Sequence, residues 1–205
     1  MVANNVVKPN PEKMQQLFHS IFSEMGFDVD NDANMKDTPK RVAKAWLELA
    51  DGFYNTEEKL QEILRAKFPS DYDEMVIVRN IETVGLCPHH FLPILYDISI
   101  GYVPDKDGFV VGLSKLPRLA ELLSSKPVLQ EQLAVDICNT LVANLNPRGV
   151  GVIIVGRHGC MNCRGVKMRD ADTVTTKLWG CILRNEDNAK EEFLMHSYAS
   201  SNFRK

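Results

Sequence analysis

Residues 94–102 read ILYDISIGY, and this stretch decides the fold of the chain. Isoleucine and tyrosine side chains occupy every second position from Ile94 to Tyr102, alternating with Leu, Asp, Ser and Gly. A period of two is that of a β-strand with one buried face. The preceding segment, residues 75–84, is rich in β-branched side chains and is predicted to be its partner strand. The centre of the chain is therefore predicted to be a strand pair.

Two helices and two more strands are predicted downstream of this pair. Their bounds are 116–123 and 127–145 for the helices, and 150–155 and 173–183 for the strands. The order ββααββ predicts a four-stranded antiparallel sheet with two helices on one face, an α+β fold. From periodicity alone, a ferredoxin-like or similar sandwich is equally compatible. Such a sheet leaves its edges and second face uncovered, which favours assembly into a closed ring.

Helices are also predicted on either side of this unit. Two amphipathic helices at 11–25 and 38–50 precede the sheet, the second with Thr38 as its N-cap and Pro39 in its first turn. A last helix is predicted at 189–200. We therefore divide the chain into an N-terminal helical segment, residues 1–70, and a sheet-containing domain, residues 71–205.

The composition limits the classes of partner. The chain has 205 residues, 44% of them hydrophobic, which is enough to bury one core. A net charge of −3 gives no reason to expect nucleic acid or an anionic membrane as a partner. The apolar runs are too short to span a bilayer and residues 1–10 lack a signal-peptide layout, so we expect a cytoplasmic protein. Its five cysteines are then better interpreted as thiols or metal ligands than as disulfides.

Two segments rich in cysteine and histidine fall at predicted strand ends. CPHH at 87–90 lies in the first turn, and RHGCMNC at 157–163 follows the third strand. Cysteine and histidine are the natural ligands of Zn²⁺, and a Cys-x-x-His pair in a turn can share a metal with a distant third ligand. We predict that Cys87, His90 and Cys160 bind zinc. Three protein ligands leave a fourth position for water, as in catalytic sites.

Two other interpretations stay open. Cys163 could close a Cys₃His structural site of the zinc-ribbon kind, or the thiols and imidazoles could be ordinary buried groups without a metal. The open site accounts better for His89 and His158, because imidazole has the right pKa for proton transfer near neutral pH.

Several side chains are suited to an anionic purine ligand. Four cations could meet a triphosphate, and they are Arg41, Lys115, Arg118 and Arg164. Lys115 and Arg118 fall at the start of a predicted helix, where backbone N–H groups also favour phosphate. Glu131, next to Gln130 in the first turn of the following helix, could accept the N–H groups of a purine or only favour the helix dipole.

Four motifs, in order and spacing, resemble the GTP cyclohydrolase I family. They are CPHHFLP at 87–93, VGLSKLPRL at 111–119, QEQL at 130–133 and HGCMNCRGV at 158–166. TPKR at 38–41 is similar to the family's N-terminal Thr-Pro-x-Arg element. The resemblance implies a tunnelling fold for residues 71–205, which would be the catalytic domain. It also implies a ring of five subunits stacked into a homodecamer, with active sites at subunit interfaces.

The resemblance further implies a zinc hydrolase of pterin biosynthesis, upstream of folate, tetrahydropterin and deazaguanine routes. Zinc-activated water would attack C8 of GTP, and the products would be formate and 7,8-dihydroneopterin triphosphate. The implied metal ligands are Cys87, His90 and Cys160. The implied catalytic residues are His89, His158 and Ser114, the histidines shuttling protons. The implied substrate-binding residues are Arg41, Lys115, Arg118, Gln130, Glu131 and Arg164, with the glutamine and glutamate at the guanine and the cations at the triphosphate.

Two positions depart from the family pattern. Pro88 stands where the family usually has glutamate, and Cys163 where it usually has an apolar residue.

Two other functions compete with this interpretation. The first is another tunnelling-fold purine or pterin enzyme, such as a deazaguanine nitrile reductase, which uses a nucleophilic cysteine and a nicotinamide cofactor. The second is a ring that binds nucleotide and uses zinc only for stability.

Overall fold

The computed structural model describes residues 8–54, 56–106 and 109–198. Its helices are α1 (Pro11–Glu24), α2 (Thr38–Leu49), α3 (Thr56–Leu64), α4 (Lys115–Ser124), α5 (Gln130–Leu145), α6 (Gly159–Asn162), α7 (Gly180–Arg184) and α8 (Ala189–Tyr198). Its strands are β1 (Lys67–Pro69), β2 (Val76–Leu86), β3 (Pro93–Val103), β4 (Phe109–Val111), β5 (Gly149–His158) and β6 (Thr173–Trp179). Within the described ranges, no helix combines the length and apolar character that crossing a bilayer requires.

Four of the strands form one antiparallel sheet in the order β2-β3-β5-β6. The helices α4 and α5 lie in the chain between β3 and β5 and pack on the same face of this sheet. This is the predicted ββααββ unit, so the predicted α+β fold of the tunnelling type is confirmed. β2 and β6 form the two edges of the sheet.

The main core lies between this sheet face and the two helices. Tyr96, Ile98 and Ile100 alternate along β3 and are buried against α5, which contributes Leu133 and Ile137. The period-two pattern and the helical leucine pattern thus meet at one interface, as the sequence predicts.

The second face of the sheet is covered at one end by α8. Phe193 packs over Gly101 and Gly151, where an added Cβ would come within 3 Å of its ring. These glycines therefore leave the room that the aromatic ring needs. At the other end, the apolar side chains of Val84, Leu95 and Val174 are exposed.

Two predicted boundaries are wrong. α5 begins at Gln130 rather than Pro127, because Pro127 forms an isolated bridge with Leu86 and Leu129 keeps an extended backbone. β6 ends at Trp179 rather than Leu183, because Gly180 adopts a φ of +65° and turns the chain into α7. In both cases a local backbone conformation ends an apolar pattern that continues in the sequence.

The N-terminal helices are confirmed, with one change at a helix start. Thr38 is the first residue of α2, and Asp37 takes the N-cap position that we predicted for Thr38. The helix α3 and the small β1-β4 sheet were not predicted. The division of the chain at residue 70 stays a prediction. The last helix is confirmed to Tyr198, and the final two residues of its predicted range lie outside the described residues.

Candidate metal centre

The turn between β2 and β3 presents two of the predicted metal ligands. Backbone hydrogen bonds close it: the Cys87 N–H donates to the Leu92 carbonyl at 2.9 Å, and the Phe91 N–H donates to the Cys87 carbonyl at 2.8 Å. Phe91 has a φ of +55°, in the left-handed region that few non-glycine residues adopt. This conformation lets the turn reverse direction within six residues and brings Cys87 and His90 together.

The third predicted ligand arrives from the end of β5. Ile94 pairs with His158 in the β3-β5 register, so the one-turn helix α6 that follows holds Cys160 beside the turn. The ligand atoms of Cys87, His90 and Cys160 all lie within 4.8 Å of one another. The sequence prediction that these three side chains meet is therefore confirmed.

The spacing of these atoms suits zinc. The distance from Cys87 Sγ to His90 Nδ1 is 3.7 Å. Tetrahedral zinc with ordinary Zn–S and Zn–N bond lengths would separate a sulfur and a nitrogen ligand by about 3.6 Å. Sulfur and imidazole donors are also the ligands that zinc prefers over magnesium or calcium. The residues present thus fit the group that the sequence predicts.

Cys163 does not join the three ligands. Its side chain is exposed, and its Sγ donates to the Gly159 carbonyl at 2.8 Å. Among the described residues, the grouping of ligand atoms contains Cys87, His90 and Cys160 alone. This geometry favours the open arrangement over a closed Cys₃His site.

A cavity of about 250 Å³ adjoins the three ligands. Besides them, it is lined by Pro88, His89, Ile94, Val128, Leu129, Gln130, Glu131, His158 and Thr173. The start of α5 thus contributes an amide and a carboxylate to a cavity that also contains two unligated imidazoles. Of the predicted catalytic and base-binding residues, only Ser114 is absent from its lining.

Gln130 lines this cavity, and both the nitrogen and the oxygen of its side-chain amide are hydrogen-bonded within the protein. Its Nε2 donates to the carbonyls of Ile154 at 3.0 Å and Thr173 at 2.8 Å. Carbonyls only accept, so these bonds fix the amide orientation and aim Oε1 at His158 Nε2, 2.9 Å away. That nitrogen must therefore carry a proton, which leaves Nδ1 of the neutral imidazole with the free lone pair. Gln130 is 2% exposed, so the structure gives it contacts to the protein rather than an open amide for a ligand.

Glycine at position 156 makes this arrangement possible. A Cβ there would lie 2.2 Å from Gln130 Oε1 and 3.1 Å from the Tyr96 ring. Tyr96 packs edge-on to His158 with ring centroids 6.5 Å apart, and its buried hydroxyl has no hydrogen-bond partner among the described residues. Sequence reasoning missed Tyr96 as a site neighbour. Gly156 in an otherwise apolar strand was the signal of a close approach.

Burial shifts the pKa values of two side chains at the site, His158 and Cys160. Desolvation lowers the pKa of His158, partly opposed by the carboxylate of Glu131, so the imidazole is neutral at neutral pH. Desolvation and the neighbouring Cys87 raise the pKa of the Cys160 thiol, and Arg164 acts in the opposite direction. Arg164 is exposed two residues after α6, and its place beside the metal ligands stays a prediction.

Other predicted cations lie elsewhere in the chain. Lys115 and Arg118 line a separate cavity of about 490 Å³ between α3 and α4, together with Glu48, Glu62 and Glu121. Within the described part of the chain, neither cation has an ion pair, although acidic residues surround them.

Arg41 and Ser114 also lie outside the cavity beside the ligands. The guanidinium of Arg41 contacts Asp37 at 3.4 Å on the exposed side of α2. Ser114 is exposed immediately before α4. One chain therefore brings together the metal ligands, the histidines and Glu131, but not most of the predicted phosphate-binding residues.

Known proteins resemble this chain over most of its length. Residues 14–197 match the sequence profile of GTP cyclohydrolase I. GTP cyclohydrolase 1 of Bacteroides thetaiotaomicron is 36% identical over 190 residues, 92% of this chain and 93% of that protein. That of Campylobacter curvus is 38% identical over 194 residues, 94% and 99% of the two chains. That of Campylobacter jejuni strain RM1221 is 38% identical over 183 residues, 89% and 93% of the two chains.

A solved structure shares part of the chain at lower similarity. The apo form of the archaeosine synthase QueF-Like is 18% identical, with a TM-score of 0.42, and covers 52% of this chain and 93% of that chain. This similarity carries no functional argument. The sequence matches do support a family assignment, because they span both the N-terminal helices and the whole sheet. The recognition made from the four motifs is confirmed, together with the prediction of an enzyme: the chain belongs to the GTP cyclohydrolase I family.

Proposed function

We propose that this chain is a zinc-dependent GTP cyclohydrolase that converts GTP to formate and 7,8-dihydroneopterin triphosphate. The observation that carries the proposal is the convergence of Cys87, His90 and Cys160 within 4.8 Å, beside a cavity lined by two further imidazoles and a carboxylate. The names of the relatives support the substrate. A cytoplasmic location and a role in pterin biosynthesis are part of the same proposal.

Cys87, His90 and Cys160 would hold the zinc. When bound, Zn²⁺ supplies Lewis-acid chemistry at the position that the three protein ligands leave open. Arg164 offsets part of the negative charge of the two thiolates, since its positive charge lowers the pKa of the Cys160 thiol. Pro88 at the cavity edge provides neither a carboxylate nor a backbone donor, so proton transfer falls to the histidines.

His158 is the proton-transfer group with the better-defined geometry. Gln130 holds its Nε2 proton, so Nδ1 takes up and returns protons during ring opening. Its lowered pKa keeps the imidazole unprotonated at neutral pH, so that Nδ1 can accept a proton. His89, an exposed residue that also lines the cavity, is the second group that moves protons. Gln130 thus acts as a positioning residue for His158 in this proposal.

Glu131 anchors the guanine. Its carboxylate is exposed at the first turn of α5 and lines the cavity, so it can accept two N–H groups of the base. Gln130 has no free amide hydrogen for that purpose, because both are used on backbone carbonyls. The base is therefore recognised by the carboxylate and by the shape of the cavity.

The triphosphate would be bound across a subunit interface. Lys115 and Arg118 face a different cavity from the metal ligands, so a neighbouring subunit has to bring them to the same substrate. The sheet edges at β2 and β6 and the exposed Val84, Leu95 and Val174 support ring assembly. We propose a homodecamer of two pentameric rings, in which Arg41, Ser114 and Arg164 complete the binding of ribose and phosphates.

The test is incubation of the zinc-loaded protein with GTP and no reductant. We expect formate and a fluorescent pterin triphosphate in equal amounts, and no product from Cys160→Ser. A requirement for a nicotinamide cofactor would favour a reductase instead. Zinc binding without turnover of GTP would favour a structural site in a nucleotide-binding ring.

A further inference from the structure

The turn that presents Cys87 and His90 is packed against the N-terminal helices by one aromatic pair. Phe91, directly after His90, contacts Trp46 of α2 with ring centroids 5.0 Å apart and planes inclined by 30°. Aromatic pairs at about this separation are favourable beyond the area they bury. The pair therefore joins two elements that are more than 40 residues apart in the sequence.

The backbone of Phe91 needs support from outside the turn. Its φ of +55° is a conformation that an aromatic residue adopts only when its surroundings hold it there. The turn itself supplies two hydrogen bonds, from the N–H groups of Cys87 and Phe91. The Phe91 side chain is 46% exposed, and its ring contacts Trp46, which offers support from outside the turn.

Trp46 is directed at the turn by the buried face of α2. Pro39 and Ala43 are buried on this helix, and Trp46 follows them at the spacing of one helical face. The same helix carries Arg41 on its exposed side. A displacement of α2 would therefore act on the turn through the indole.

We infer that Trp46 is a positioning residue for the metal-binding turn. By packing on Phe91, it holds the backbone in the left-handed conformation that aims the side chains of Cys87 and His90 at Cys160. The inference rests on the proposed function only for the identity of the bound metal, since order of the turn in the metal-free protein is a property of the fold.

Amide hydrogen exchange of the metal-free full chain tests the inference directly. Trp46→Ala should increase exchange of the Cys87 and Phe91 amides by about tenfold while leaving strands β3 and β5 protected. Trp46→Phe keeps an aromatic ring and should stay close to the parent protein. Phe22→Ala is the matched control, because it removes an aromatic ring from the N-terminal helices where Phe22 stacks on Phe18 instead.

Zinc release to a chelator gives the second measurement. Trp46→Ala should lose zinc about tenfold faster than the parent protein, a loss typical of residues that orient metal ligands. The double variant Trp46→Ala with Phe91→Ala should release zinc no faster than Phe91→Ala alone, because Trp46 acts through Phe91.

The outcomes separate the inference from the proposed function. Unchanged exchange at the turn in Trp46→Ala, equal loss of protection throughout the sheet, or additive effects in the double variant would overturn the role of Trp46. A parent protein that binds no zinc would defeat the proposed function, and the exchange measurement would still decide the role of Trp46.

Discussion

At the scale of single residues, the Gln130 amide determines which nitrogen of His158 is basic. Its hydrogens meet the carbonyls of Ile154 and Thr173, so inverting the amide would place its oxygen against other oxygens. Gly156 leaves the space that this side chain occupies. The almost fully buried Gln130 thus sets the tautomer of His158, which lines the same cavity.

Replacing Gln130 by methionine tests this role. We expect kcat for GTP to fall by about 10- to 100-fold with little change in KM, because the lost amide contacts His158 and not the substrate. Steady-state kinetics would measure both constants. Gln132→Met is the control, since among the described residues that exposed side chain is hydrogen-bonded to Asp136 of the same helix and to no other side chain. A large rise in KM at constant kcat would instead place Gln130 on the substrate.

The ionisation of His158 gives a prediction for pH. Burial lowers its pKa, so the midpoint of its protonation, and of the acid-side loss of activity, should lie below the ordinary histidine value of about 6.5. Glu131 opposes the shift, so Glu131→Gln should move the His158 pKa further down. Titration of the His158 ring protons by NMR in the metal-free protein checks both directions. A midpoint above 6.5 would contradict the burial argument.

At the scale of elements, single residues with a left-handed backbone conformation set where strands end and how the chain continues. Phe91 reverses the chain between β2 and β3, and Gly180 turns it from β6 into α7. Gly180 also forms a bridge with Gly149 and leaves no room for a Cβ, which would lie 2.1 Å from the Arg148 carbonyl oxygen. The end of β6 therefore depends on glycine for both its conformation and its space.

Alanine at Gly180 should destabilise the protein much more than alanine at another left-handed glycine. Gly26 has a φ of +87° but nothing within 4 Å of an added Cβ, so Gly26→Ala should cost only about 1 kcal/mol from backbone strain. Gly180→Ala adds a clash with backbone and should cost at least about 2 kcal/mol more. Urea unfolding measures both free energies. Equal losses would show that the backbone at Arg148 moves away freely.

The sequence predicts these elements to the extent that their signal is periodic. The alternation in β3 and the leucine spacing in α5 identify the sheet and its helices. The Cys-x-x-His pair with Cys160 identifies the three side chains that meet at the candidate metal centre. Boundaries at Pro127 and Gly180 depend on local backbone conformation, which periodicity does not report. The role of Gln130 depends on the orientation of one side-chain amide. The short helix α3 is recognised only in the structure, where it packs against α4.

At the scale of the whole molecule, one chain divides the predicted site residues between two cavities. The metal ligands and Glu131 surround one cavity, whereas Lys115 and Arg118 face another that is rich in carboxylates. Spacing in the sequence cannot reveal this separation, because all of these residues lie in motifs that would serve the same substrate. In the proposed ring, a neighbouring subunit would bring its cavity lined by Lys115 and Arg118 to the metal ligands.

Subunit complementation tests the shared site. Cys160→Ser and Arg118→Ala should each be inactive alone, since one removes a metal ligand and the other a phosphate contact. Co-expressed as mixed rings, they should recover about a quarter of the parent activity, because random neighbours leave that fraction of sites with both residues intact. Sites built within one chain would recover none.

The most direct test of the account is X-ray absorption at the zinc edge of protein loaded with one Zn²⁺ per chain. We predict two sulfur ligands at about 2.3 Å and two nitrogen or oxygen ligands at about 2.0–2.1 Å, with the same spectrum from Cys163→Ala. A third sulfur that disappears in Cys163→Ala would show a closed structural site and contradict the account.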